Sequence, residues 1–394
     1  MTGHQDTLVI EMDSSLRTPG TGVKGVVRIH PDQASRHELS VVHVELLAVA
    51  TGVEMKQMEN GTHTTPVMRE ILLDYKEALW DSKAPPMYGH IVQAGFIRCP
   101  FAFHFPTHPL PPSYQSIAVS MSAAVRYFVR VTGRLKGWKL SGITHPHIRV
   151  VQAFPFVPFD DLPPRAPLEY MPVARHATEI PVRKGIMGGY GNVEAEVFLP
   201  AVECFPLFTD IPITVHVKCF SKEMPHFHGS NSSHFTFPLP PSTPNAVELD
   251  LIRTCHYDIS EHSSNLGSVG GFGKMHPATN GPASHIKTDI GPPTWLQHHG
   301  LKHEGRWWQE VTFRSNIVFR CSPTFGIPKL RITYHLELKI PFHGMGNDVH
   351  LTIPLDGISS GIYRKAPLEP STKTLDLHQA YWVLGDIKDI RDAV

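Results

Sequence analysis

No stretch of this 394-residue chain approaches roughly 18 uninterrupted apolar residues, so no membrane-crossing helix is expected. There is no charge excess either. Lys+Arg 36 balances Asp+Glu 36, and charged residues make up only 18%. A neutral chain has no bulk attraction for phosphate backbones, so no nucleic-acid partner is expected. Cysteine is scarce: Cys99, Cys204, Cys219, Cys255 and Cys321 are widely spaced and form no C-x-x-C pair. That spacing indicates neither a zinc ribbon nor a thioredoxin-like site. Cys99, Cys219 and Cys321 lie in apolar runs and read as buried, reduced thiols of a cytosolic protein. The opening Met1-Thr2-Gly3-His4-Gln5-Asp6 has neither a basic nor an apolar region, which predicts no signal peptide. The sequons at Asn60 and Asn231 are therefore expected to stay unmodified. Catalytic signatures are missing as well. There is no G-x-x-x-x-G-K-[ST], G-x-S-x-G, H-E-x-x-H or kinase set. The glycines between Gly267 and Gly273 do not join a strand to a helix, so they form no dinucleotide fingerprint. The expectation is a non-enzyme with no catalytic residue, no cofactor and no metal.

What is present is alternation. Leu330, Ile332, Tyr334, Leu336, Leu338 and Ile340 face one way, and Arg331, Thr333, His335, Glu337 and Lys339 face the other. This pattern puts one face of an antiparallel strand on a core and the other in water. Similar runs begin at Val42, Val125, Val193, Ile211 and Val311. Helical periodicity is nearly absent. With Pro 36 and Gly 30 as punctuation, the pattern predicts an all-β chain of sandwiches.

The pattern breaks where Pro155, Pro158, Pro163, Pro164 and Pro167 cluster, followed by Gly185, Gly188, Gly189 and Gly191. We read residues 1–165 as one β-sandwich domain, 166–190 as a linker, and 191–357 as a second domain. A Ser/Gly/His-rich stretch at about 260–305 lacks periodicity and reads as a long, mobile insertion. Residues 358–394 read as a tail, with a short amphipathic helix expected from Tyr381 to Ile390.

Wording in both halves resembles a known family. In the first half, Pro19-Gly20 precedes Val23-Lys24-Gly25-Val26-Val27-Arg28-Ile29. Then come Gly95, Pro100-Phe101-Ala102-Phe103, the corner Leu110-Pro111-Pro112-Ser113-Tyr114, and Val125-Arg126-Tyr127-Phe128-Val129. This looks like the amino-terminal domain of the arrestins. In the second half, Val193–Leu199, Phe208–Val215, Ser322-Pro323-Thr324-Phe325, Leu330–Leu338 and Leu351–Leu355 resemble the carboxy-terminal arrestin domain. The resemblance covers roughly residues 7–356 and is nearest to the fungal α-arrestins, the arrestin-related trafficking adaptors. It implies two immunoglobulin-like antiparallel β-sandwich domains in tandem. It also implies a cytoplasmic adaptor, recruited to the plasma membrane or endosomes and allowing peripheral membrane contact. Such adaptors bind cytoplasmic tails of membrane transporters or receptors and recruit a WW-domain, HECT-type ubiquitin ligase through PPxY motifs. The alternatives are a signalling scaffold or a retromer-like sorting subunit without ligase contact, and more remotely an enzyme on the same fold.

Two PPxY matches exist. Pro85, Pro86 and Tyr88 lie between Trp80 and Gly89 and are the expected ligase-docking site. A Pro-Pro pair holds the polyproline conformation at little entropic cost, and aromatic grooves accept it. Pro111, Pro112 and Tyr114 overlap the corner segment and read as structural. The tail offers only Pro367-Leu368-Glu369-Pro370, which departs from the motif. Arg126, Arg130, Arg134 and Lys136 alternate with apolar residues, and the resemblance makes them the expected cargo-binding cations. Arginine can grip acidic or phosphorylated groups bidentately. Among the 26 histidines, His226 with His228 and His299 with His303 have suggestive spacings. They sit in Gly/Ser/Pro-rich segments without a helix to align them, so they read as solvated loop residues.

Overall fold

The computed structural model describes residues 7–58, 61–83, 91–93, 95–117, 121–135, 147–160, 167–185, 188–257, 260–273, 286–297, 304–344 and 346–363. The chain is nearly all β and divides into two units, with the division between Asp160 and Asp161.

The first unit contains strands β1 (Leu8–Met12), β2 (Gly22–Ile29), β3 (Leu39–Met58), β4 (Gly61–Asp81), β5 (Ile91–Gln93), β6 (Phe96–His104), β7 (Tyr114–Ile117), β8 (Met121–Leu135) and β9 (His147–Phe154). One helical turn, α1 (Pro31–Arg36), joins β2 to β3. Two antiparallel sheets result. The smaller has the order β1-β2-β6-β5, and the larger has β4-β3-β8-β7, with β9 also on β8. Alternation sets their inner faces. Val42, Val44, Leu46, Ala48 and Ala50 of β3, and Val125, Tyr127, Val129 and Val131 of β8, are buried. So are Val23, Val27 and Ile29 of β2, and Cys99, Phe101 and Phe103 of β6. Gln152 of β9 reaches across to donate to the Met12 carbonyl of β1 at 3.1 Å. Gly25 is required on β2, because a Cβ there would meet the Phe101 ring at 2.6 Å and the Glu11 carbonyl at 2.7 Å.

The second unit contains β10 (Val173–Arg183), β11 (Tyr190–Pro200), β12 (Phe205–Pro206), β13 (Ile211–Phe220), β14 (Met224–Pro225), β15 (Glu248–Tyr257) and β16 (Ser260–Ser268). It continues with β17 (Lys287–Ile290), β18 (Thr294–Gln297), β19 (Glu304–Ile317), β20 (Phe325–Ile327), β21 (Leu330–Ile340), β22 (Val349–Leu355) and β23 (Ile358–Ser359). One sheet runs β10-β11-β13-β19-β14, with β17 and β18 on the far side of β19. The other runs β16-β15-β21-β20, with β22 also on β21. The expected alternation on β21 holds at every position: each apolar residue from Leu330 to Ile340 is buried. Opposing strands contribute Val193, Ala195, Val197, Ile213, Val215, Val217, Val311 and Phe313 to a buried interior.

Three boundaries differ from the sequence reading. Residues 166–190 do not form a plain linker, because β10 occupies the middle of that segment and pairs with β11 along its whole length. Its one proline, Pro181, falls where the ladder with β11 needs no N–H; Gly185, at φ 64°, follows the strand, and Gly191 lies within β11 opposite Val182. The stretch at 260–305 contains β16, β17 and β18. Polar side chains hold β16 where apolar periodicity is absent: Asn265 and Ser268 both donate to the Asp250 carboxylate. Strands also continue past residue 357, since β23 pairs in parallel with β12. The helix expected at Tyr381–Ile390 lies outside the described residues.

Phe313 is fully buried, with its ring edge-on to Phe272 at 6.3 Å. Phe313→Ala should cost about 3–5 kcal/mol in denaturant unfolding of the second unit. A cost below about 1 kcal/mol would contradict the packing described.

Candidate functional site

The corner at Pro111–Tyr114 is built into the first unit. The Ser113 N–H donates to the Phe156 carbonyl at 2.8 Å, and the Phe156 N–H donates to Ser113 Oγ at 2.9 Å. The Tyr127 hydroxyl donates to the Pro111 carbonyl at 2.6 Å, while its ring stacks on Phe156 at 4.5 Å. Pro112 and Tyr114 are buried. A groove that grips a PPxY tyrosine needs that ring in solvent, and the Tyr114 ring is 1% exposed. The other match, Pro85, Pro86 and Tyr88, lies outside the described residues. Immediately before it, β4 ends at Asp81 and the chain is exposed through Lys83.

Arg126, Arg130 and Arg134 share the outer face of β8, since the odd-numbered residues of that strand face the core. Their circumstances differ. Arg130 is already paired: its Nε donates to Glu45 Oε2 at 2.5 Å, and Lys76 Nζ sits 3.0 Å from Glu45 Oε1. Glu45 is buried, so its charge depends on these two cations. Burial pushes its carboxyl up, but the hydrogen bonds and charges of Arg130 and Lys76 outweigh that and hold it below the usual carboxylate range. Arg126 is half-buried, and Arg134 is exposed. Lys136 lies outside the described residues. Between the arginines, Phe128 packs with Leu47 and Val49 as a buried apolar island, with Val151 and Ala153 against it.

The register adds a cation that sequence reasoning missed. His147 of β9 stands opposite Arg134, and Arg149 stands opposite Thr132, so Arg149 is diagonal to Arg134 on the same face. Both arginines are exposed. Arg149 lies in a different strand, so nothing in its local sequence ties it to Arg134. Burial, and then the charge of Lys76, hold His43 on this face below its ordinary value of 6.5.

The second unit carries its own charged face. Arg175 Nε donates to Glu196 Oε1 at 2.8 Å. His216 places Nδ1 at 3.0 Å from Glu196 and Nε2 at 2.9 Å from Glu310. The chain thus crosses β10, β11, β13 and β19 on one surface. His226 and His228 lie in a short helical turn, where His228 meets His234 at 4.4 Å edge-on. Among the described residues, no three His, Cys, Asp or Glu side chains are placed to hold a metal ion. His299 and His303 lie outside the described residues.

Cys99, Cys219, Cys255 and Cys321 are buried, and all five cysteines are free thiols. Burial pushes Cys99 up to about 11 and Cys321 up to about 12, which keeps them protonated and unreactive near neutral pH. Among the described residues, no helix is long and apolar enough to cross a membrane. Compared with known families and curated proteins, the chain matches no family model and no curated sequence.

The Glu45 environment predicts a pH dependence. A carboxyl held below its ordinary value stabilises the fold above its unfolded value of 4.5, and that stability is lost as pH falls through the lower folded value. Wild type should exceed Glu45→Gln in urea midpoint near neutral pH, and the gap should close in acid. A gap that does not change with pH would refute this role.

Proposed function

We propose that the protein is an adaptor of the arrestin kind. It holds acidic or phosphorylated cytoplasmic segments of membrane transporters or receptors and brings them to a WW-domain, HECT-type ubiquitin ligase. The observation that carries this reading is the corner at Pro111–Tyr114. Its hydroxyl, main-chain and stacking contacts fasten three separated segments of one sandwich-like unit. Segments carrying the family resemblance also fall together: Val23–Ile29 is strand β2, and Pro100–Phe103 lies beside it on β6. In the second unit, Leu330–Leu338 and Leu351–Leu355 pair as β21 and β22. Two antiparallel units of this kind support the arrestin reading of the fold.

Cargo would meet the outer face of β8 and β9. Arg134 and Arg149 are exposed there and adjacent, and two guanidinium groups can fork onto one phosphate or onto neighbouring carboxylates. Arg130 contributes less, because Glu45 already occupies its guanidinium. The ligase would dock on Pro85, Pro86 and Tyr88. Burial of Tyr114 argues against the other PPxY match as the docking site.

Two variants test this reading. Tyr88→Ala should abolish capture of WW-domain ligase by the full chain while the thermal unfolding midpoint stays unchanged. The double variant Arg134→Glu with Arg149→Glu should weaken binding of phosphorylated cytoplasmic peptides by tenfold or more, about 1.4 kcal/mol, and leave ligase capture intact. Ligase capture that persists in Tyr88→Ala would remove the docking claim, and a wild-type chain that captures no ligase would leave a scaffold without ligase contact. Peptide binding indifferent to both arginines would remove the cargo face.

A further inference from the structure

β10 is the longest edge strand among the described residues whose ladder runs without a register shift. It pairs with β11 on one side only. The longer edge strand β4 is interrupted by three shifts, which twist and disrupt an edge. Along β10, Val173 is 64% exposed, and Arg175, Ala177, Glu179 and Pro181 are exposed too.

The hydrogen-bond phase of this edge can be read from its ends. The Arg183 N–H and carbonyl bond to the Asn347 side chain, at 2.9 and 2.8 Å, and so point away from β11. The Pro172 carbonyl and the Lys184 N–H turn the other way, toward Ala201 and Gly189 beside β11. The odd-numbered residues of β10 therefore turn their main-chain groups away from β11; Asn347 closes that edge at Arg183, and β22 of the other sheet also lies near β10. Pro181 belongs to this outward set, so its missing N–H costs nothing in the ladder with β11.

We propose that this edge pairs with β10 of a second copy of the chain, antiparallel about a two-fold axis at Ala177. In that register Ala177 exchanges both main-chain bonds with its own copy. Arg175 stands opposite Glu179 in each direction, and Val173 stands opposite Pro181, whose carbonyl still accepts. On the other face Ala174 meets Ile180, and His176 meets Thr178. Opposite charges across a hydrogen-bonded pair favour this arrangement, and the alternatives lose it. A slip of two residues sets Arg175 against Ala177 or Pro181. A slip of four sets Arg175 against its own copy, or Glu179 against its own copy. Within its own unit Arg175 already holds Glu196, and Glu179 accepts from Asn192 Nδ2, so across the dyad Arg175 bridges Glu196 and the Glu179 of the second copy. Charged residues on an edge normally discourage pairing. Here their order makes the strand complementary to itself and to little else.

Sedimentation of the full-length chain over a concentration series tests the pairing. Wild type should show a reversible monomer–dimer equilibrium. Ala177→Pro removes an N–H that serves no bond within the unit, so the variant should fold with an unchanged midpoint and remain monomeric. Oxidation provides a second reading that does not depend on the proline variant folding. Hydrogen-bonded partners lie about 5.5 Å apart between Cα atoms, inside the roughly 4.4–6.8 Å that a disulfide spans. Ala177→Cys should therefore cross-link to a covalent dimer, whereas Thr178→Cys, opposite His176, should not exceed the wild-type background. A wild-type chain that is monomeric throughout, a proline variant that dimerises as well as wild type, or equal cross-linking at both positions would overturn the proposal.

Discussion

The long central ladders of this protein depend on keeping one set of alternate side chains dry, as on β3, β8, β13 and β21. A strand that slipped by one residue would turn its entire apolar set outward. On β21 that set runs from Leu330 to Ile340, and every member is buried. The same constraint on β3 and β8 fixes which residues reach the outer face of the first unit. Glu45 meets Arg130, and Arg134 comes near Arg149, because the register that buries Val44 and Val131 leaves no other arrangement. Charge on the surface is thus a consequence of the packing beneath it.

That dependence explains what could be read from the chain alone. Antiparallel strands were legible wherever one face is apolar and the other polar, as in β13 and β21. The corner at Pro111–Tyr114 was legible as structural because it resembles the corner segment of the arrestin amino-terminal domain, where the aromatic ring sits inside the sandwich. Strand β10 was not legible. The prolines and glycines that flank it read as punctuation, and its place as an edge with Pro181 facing outward emerges only from the ladder. Strand β16 was hidden for a different reason: main-chain pairing and the Asp250 carboxylate hold it, and neither leaves a hydrophobic period.

Pairs between strands were the least accessible of all. Glu45 and Arg130 are 85 positions apart, and Asn347 and Arg183 are 164 apart. Composition and spacing carry no information about such partners until register is known. Alternation placed the arginines of β8 on one outward face, and the family resemblance suggested their role, yet only the fold separates the one spent on Glu45 from the one left exposed. Arg149 entered the candidate site by the same route.

We propose that this chain works by holding other proteins, with cytoplasmic segments of membrane proteins as its cargo. Proximity labelling by the full-length chain in its native cell tests that most directly. The account predicts enrichment of integral membrane transporters or receptors, labelled on their cytoplasmic segments, together with a HECT-type ligase. A labelled set without integral membrane proteins would contradict it.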